Sequence, residues 1–120
     1  MTSLPHNHDS HSHHFLGHMP HNEDFLTISD VFKQLADPTR IRIFWLLCHC
    51  EECVINLSAL MEMSSPAVSH HLKQLRSAGL IVSRREGKEV YYKAADSDQA
   101  QLLHEMIEDM VKITCPDRQA

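Results

Sequence analysis

The chain has few glycines, no long apolar run and no glycine-rich phosphate loop, and each absence narrows what it can be. Three glycines and five prolines in 120 residues exclude a collagen-like or repeat architecture. No apolar run approaches the ~20 residues that a membrane-spanning helix requires. The N-terminus lacks the basic-then-apolar order of a signal peptide, so the expected location is cytoplasmic, with no membrane partner. Neither a phosphate-cradling loop nor an HExxH run accompanies the cysteines and histidines. An enzyme is therefore not expected, and no catalytic residue is assigned.

Cysteine is scarce but concentrated. The four are Cys48, Cys50, Cys53 and Cys115, so three fall within the run Cys48-His49-Cys50-Glu51-Glu52-Cys53. In a reducing compartment, closely spaced cysteines more often bind metal or do redox chemistry than form structural disulfides. The N-terminus adds His6, His8, His11, His13, His14, His18 and His21. Thiolates and imidazoles are ligands for zinc, cadmium, lead or copper.

The formal charge of -5 is unevenly spread. Between Ser64 and Lys93 the cations Lys73, Arg76, Arg84, Arg85, Lys88 and Lys93 face only Glu86 and Glu89, leaving that stretch at +4. Acids collect instead at Glu105, Glu108 and Asp109 and around Glu51. Such a basic stretch suits phosphate contacts, which supply most non-specific affinity for DNA.

Residues 1–21 have no periodicity and read as a disordered histidine-rich arm. The folded domain spans 22–115, and 116–120 form a flexible tail. Phe25, Ile28, Val31, Phe32 and Leu35 recur at helical spacing. Asp37-Pro38 then caps a second helix, with Ile41, Phe44, Trp45 and Cys48 on its inward face and its end near His49. Asn56 is placed to cap a short helix carrying Leu57, Leu60 and Met61. A turn at Met63-Ser64 leads to a helix opening at Ser65-Pro66. Its inward face is Val68, Leu72 and Leu75; its outward face is Ser65, Ser69, His70, Lys73 and Arg76, and Gly79 closes it. Strands Ile81–Ser83 and Val90–Tyr92 flank a basic turn running from Arg84 to Lys88. The last segment, about Ser97 to Ile113, repeats Leu102, Leu103, Met106, Ile107, Met110 and Ile113, more apolar surface than one small core needs. The expected fold is mainly α with a small β-hairpin: a winged helix-turn-helix, dimeric through helices from both ends of the chain.

Four stretches carry a resemblance: LADPTRIRI at Leu35 to Ile43, CVINL at Cys53 to Leu57, SSPAVSHHLKQLRSAGLI at Ser64 to Ile81 and REGKEVYYKA at Arg85 to Ala94. With them the chain resembles the ArsR/SmtB class of metal-responsive winged-helix repressors over roughly residues 30 to 113. The resemblance implies a homodimer that binds double-stranded operator DNA and lets go when metal binds. It places the helix from Ser65 to Ala78 in the major groove, with Ser65, Ser69 and His70 near bases or phosphates. Lys73, Arg84, Arg85 and Lys88 would grip the backbone, with Arg76 on the same outward face.

Relatives carry sensor sites in different places. Cys53 in CVINL matches the cysteine of a common thiolate site, but Ile55 stands where some relatives have a second cysteine. Cys50 and Cys48 could replace it, with His18 and His21 as the nearest arm ligands; zinc, cadmium or lead is the expected effector. A second family site on the last helix matches Asp96, Asp98, Asp109 and Lys112, where the lysine charge opposes a cation. His104 and Glu108 lie four apart on one face and could bind metal, although they read more readily as a solvent-exposed pair. Some relatives instead sense persulfides or oxidants. Cys115 resembles one cysteine of that pair, and Cys48, one turn beyond Trp45, would have to serve as the other.

Overall fold

The computed structural model describes residues 4–6, 8 and 11–118. Its folded part contains α1 (Asn22–Gln34), α2 (Pro38–His49), β1 (Glu52–Cys53), α3 (Val54–Met61), α4 (Ser65–Ser77), β2 (Ile81–Glu86), β3 (Glu89–Ala94) and α5 (Asp98–Thr114). In the arm, Ser12–His18 winds into a 3₁₀ helix with no buried residue. A second short 3₁₀ turn, Pro116–Arg118, follows α5. Among the described residues no helix is long and apolar enough to cross a membrane.

Local chemistry sets the helix starts. Asp37 caps α2 by accepting the Arg40 N–H at 3.0 Å, with Pro38 in the first turn where a missing N–H costs nothing. That hydrogen bond is the main reason the Asp37 carboxyl titrates below its ordinary range. A folded-state pKa below the unfolded value stabilises the protein above the unfolded pKa, and the gain is lost as pH falls through the folded one. Asp37→Ala should therefore lower the urea midpoint at neutral pH. The gap to wild type should narrow as the solution is acidified below the carboxylate range.

Ser64 accepts the Ala67 N–H to open α4, and Ser97 accepts the Ala100 N–H to open α5. After Ala78, Gly79 takes φ +76°, and the Leu80 N–H reaches back to the Leu75 carbonyl at 3.0 Å, closing α4 with a left-handed cap.

The core gathers Ile43, Phe44 and Leu47 of α2, Leu57 of α3, Val68, Leu72 and Leu75 of α4, Leu80, Ile81 and Leu103. The inward face expected for α4 is confirmed, each residue at most 1% exposed. For α2 the face needs correction. Ile43 and Leu47 accompany Phe44 inward, while Trp45 is 40% exposed. The helix is apolar on nearly every side, so periodicity alone cannot choose between its stripes.

Two further corrections concern boundaries. Helix α3 begins at Val54 with Cys53 as its N-cap, and Asn56 instead donates its side-chain amide to Glu52 at 2.8 Å. The wing strands run on to a two-residue turn, Gly87-Lys88, with Glu86 opposite Glu89, so Arg84 and Arg85 belong to β2 rather than to the turn. Strand β1 has no sequence expectation behind it. It pairs antiparallel with β3, Glu52 opposite Tyr92 and Cys53 opposite Tyr91, giving the sheet order β1-β3-β2.

Candidate nucleic-acid interface and metal centre

Helices α3 and α4 are joined through Glu62, which adopts the left-handed region at φ 54°. With the apolar stripe of α4 buried, Ser65, Ser69, His70, Lys73 and Arg76 are all exposed on its other face. The Ser65 hydroxyl lies 3.0 Å from that of Ser58 on α3, so one of its hydrogen-bonding positions is spent inside the motif. Lys88 stands at the wing tip and Arg85 beside it, both exposed.

Arg84 is differently engaged. Its guanidinium donates to Glu51 at 2.9 and 2.7 Å and to Glu86 at 2.6 Å, and lies over the Tyr91 ring. The same contact holds the Glu51 carboxyl below its ordinary range. An arginine expected to grip phosphate thus ties the wing to the cysteine segment.

Arg40 is a residue that sequence reasoning misses. Its Nε donates to His71 Nδ1 on α4 at 3.2 Å, and its Nη1 donates to the Gln34 carbonyl and side chain at 3.2 and 3.1 Å. It stitches the end of α1 and the start of α2 to the reading helix. Burial, opposed by Asp37, pushes the His71 pKa down, so the ring is neutral and free to accept. The arginine of LADPTR was visible, but its partner 31 residues away was not.

The three clustered thiols occupy three environments. Cys48 is half-buried on α2, and burial first and the Glu108 carboxylate second push its pKa up to about 11. Cys50 is exposed at the end of α2 in extended backbone, its thiol donating to the Leu46 carbonyl at 3.4 Å. Burial and Glu52 raise its pKa as well. Cys53 is buried, 7% exposed, between β1 and α3. Cys115 is a half-buried cap on the end of α5. All four are free thiols.

His18 and His21 lie at the end of the arm's 3₁₀ helix and at the N-cap of α1, and both are exposed. Asp24 accepts the His21 N–H at 3.0 Å, fixing where α1 begins. Neither these cysteines nor these two histidines belong, among the described residues, to a cluster of three or more metal-donor side chains. Among the described residues, the trio whose donor atoms all lie within 4.8 Å of one another is His49, His104 and Glu108. The pair on α5 was legible from its spacing; its third member, at the end of α2, was not.

A cleft of about 400 Å³ borders this region, lined by Cys48, His49, Cys50, Glu51, Asp96 and His104 among others. Outside it, Phe25, Leu26, Ile28 and Phe32 of α1 and Leu102, Met110, Val111 and Ile113 of α5 are exposed, an apolar surface too large for a lone small domain.

Residues 37–83 match the model of the bacterial regulatory protein, arsR family. The chain is 41% identical over 83 residues to a transcriptional repressor SmtB homologue from Synechocystis, covering 69% of this chain and 63% of that protein. It is 40% identical over 84 residues to the arsenic resistance transcriptional regulator ArsR2 of Pseudomonas putida, covering 69% of this chain and 72% of that protein. The chain thus spans just under two thirds of the length of the first relative and somewhat more of the second. Among solved structures, a homodimeric winged helix-turn-helix DNA-binding domain from Mycobacterium bovis superposes with a TM-score of 0.70 at 25% identity, over 85% of this chain and 95% of that one.

Proposed function

Because the chain belongs to the ArsR family of bacterial transcriptional regulators, not to a family of enzymes, we propose that it is a metal-responsive repressor that binds operator DNA as a homodimer. On this reading α4 enters the major groove, and the wing, with Arg85 and Lys88, follows the adjacent backbone. The exposed apolar faces of α1 and α5 supply the dimer contact. The effector is a soft divalent ion, zinc, cadmium or lead, held by thiolates of the Cys48–Cys53 segment with His18 or His21 completing the set. On the family resemblance, the ligands from the arm come from the second protomer.

One observation carries this reading. Cys53 is at once the N-cap of α3 and the edge strand of the wing sheet, so it touches both halves of the DNA-reading unit. An ion that draws Cys53 toward Cys50 must strain the strand pairing, the start of α3 or both. Binding that costs less in the free protein than on DNA is the differential affinity that release requires.

Replacement of Cys53 by serine should leave operator affinity of the metal-free protein unchanged and abolish cadmium-dependent release. An anaerobic cadmium titration of the reduced protein, followed in the thiolate-to-metal charge-transfer band, checks the ligands, and a mobility-shift titration checks the release. Undiminished release in Cys53→Ser would sink the proposal.

A further inference from the structure

We propose a second metal site, distinct from the thiolate site and complete within one protomer, formed by His49 of α2 with His104 and Glu108 of α5. The donor atoms are already gathered. His49 Nε2 and His104 Nε2 are 3.1 Å apart, Glu108 Oε1 lies 3.2 Å from His104 Nε2, and it lies 3.6 Å from His49 Nε2. Bonds of about 2.0–2.1 Å arranged tetrahedrally put neighbouring ligand atoms roughly 3.3 Å apart. The observed triangle brackets that edge, and a point at bonding distance from all three atoms lies just off its plane.

The chemistry of the set selects its ion. Two imidazoles and one carboxylate suit zinc, cobalt(II) or nickel(II), whereas cadmium and lead are better served by the sulfurs. Three protein ligands leave the fourth tetrahedral position to water. The rings are partly exposed, 44% and 26% for the two side chains, so an ion can enter without the core opening.

A supporting shell is also present. The Trp45 indole N–H donates to Glu108 Oε1 at 2.8 Å, and its ring lies 4.3 Å from that of His49, centroid to centroid. Hydrogen bonds of this kind orient a metal-ligating carboxylate. Two Nε2 atoms facing each other at 3.1 Å must otherwise share a proton; an ion lets both present lone pairs with the protons on Nδ1. An occupied site ties the last turn of α2, immediately before Cys50, to the middle of α5.

Trp45 is the one tryptophan in the chain, so its fluorescence reports this site rather than the arm. The experiment is a cobalt(II) titration of the reduced full chain near neutral pH, following Trp45 emission and the visible ligand-field bands. Wild type and Cys53→Ser should show the same saturable quenching, without thiolate-to-cobalt charge transfer from the site. His104→Gln and Glu108→Gln should each weaken binding by at least about tenfold. Glu108→Gln keeps an oxygen for the indole, so its circular dichroism should match wild type. Unsaturable quenching in wild type would reduce the trio to a hydrogen-bonded network and overturn the proposal. So would glutamine variants that bind as well as wild type, or quenching that disappears in Cys53→Ser.

Discussion

Phe44→Ala is expected to remove about 3–5 kcal/mol of stability, the usual cost of emptying a large aromatic site that cannot collapse. Phe44 is 0% exposed and sits among Ile43, Leu47, Leu72 and Leu75 in the one core of the domain. Small domains hold only about 5–15 kcal/mol in all, so the variant should be close to unfolding at physiological temperature. Trp45→Ala, one residue on, makes a sharp control. Trp45 has the larger side chain, yet 40% of it is exposed and its polar contact is the bond to Glu108. Its loss should cost less than half as much. Urea unfolding of both variants at one fixed protein concentration gives the comparison, since a dimer's apparent stability depends on concentration. Equal losses would show that the α2 stripe facing inward has been misassigned.

Joint replacement of Lys73 and Arg76 by alanine should weaken operator binding by about tenfold or more. If both contact phosphate, the slope of log affinity against log salt should become shallower by about 2. Both side chains are exposed on the outward face of α4, away from Leu72 and Leu75, so the fold should be untouched. The two single variants separate their roles. A residue that grips only backbone weakens all sequences alike, whereas one that reads a base edge costs about 1–3 kcal/mol on the operator and relaxes preference at one position. Fluorescence anisotropy at several salt concentrations, on operator and unrelated duplexes, measures both quantities. Unchanged operator affinity and salt slope would remove α4 from the interface.

The sequence made the reading head easy to see because each of its devices is local. Ser64 before Pro66, the spacing of Val68, Leu72 and Leu75, and Gly79 after the last turn all act within one or two turns of helix. The family resemblance drew on that stretch together with Leu35–Ile43, Cys53–Leu57 and Arg85–Ala94. Harder to see was anything requiring two elements to meet. Strand β1 is two residues long and exists because β3 lies beside it; no alternation of apolar and polar residues can announce so short a strand. His49 looked like a helix terminus, and its approach to His104 spans 55 residues of chain. Trp45 misled for the opposite reason. A large apolar side chain on an apolar helix invites assignment to the core, and its actual place depends on where α5 lies. The exposed stripe on α5, by contrast, was legible as a surplus, because the count of apolar residues exceeded what one small core could cover.

The two-residue strand has a consequence for timing. Cys53 is buried in the edge strand, 7% exposed, whereas Cys50 is exposed three residues earlier. On the proposed reading, an ion would meet the outer thiol first and the inner one only after the edge had moved aside. Uptake would then divide into a fast and a slow phase when cadmium and the reduced protein are mixed rapidly, and the slow rate would not rise with cadmium concentration.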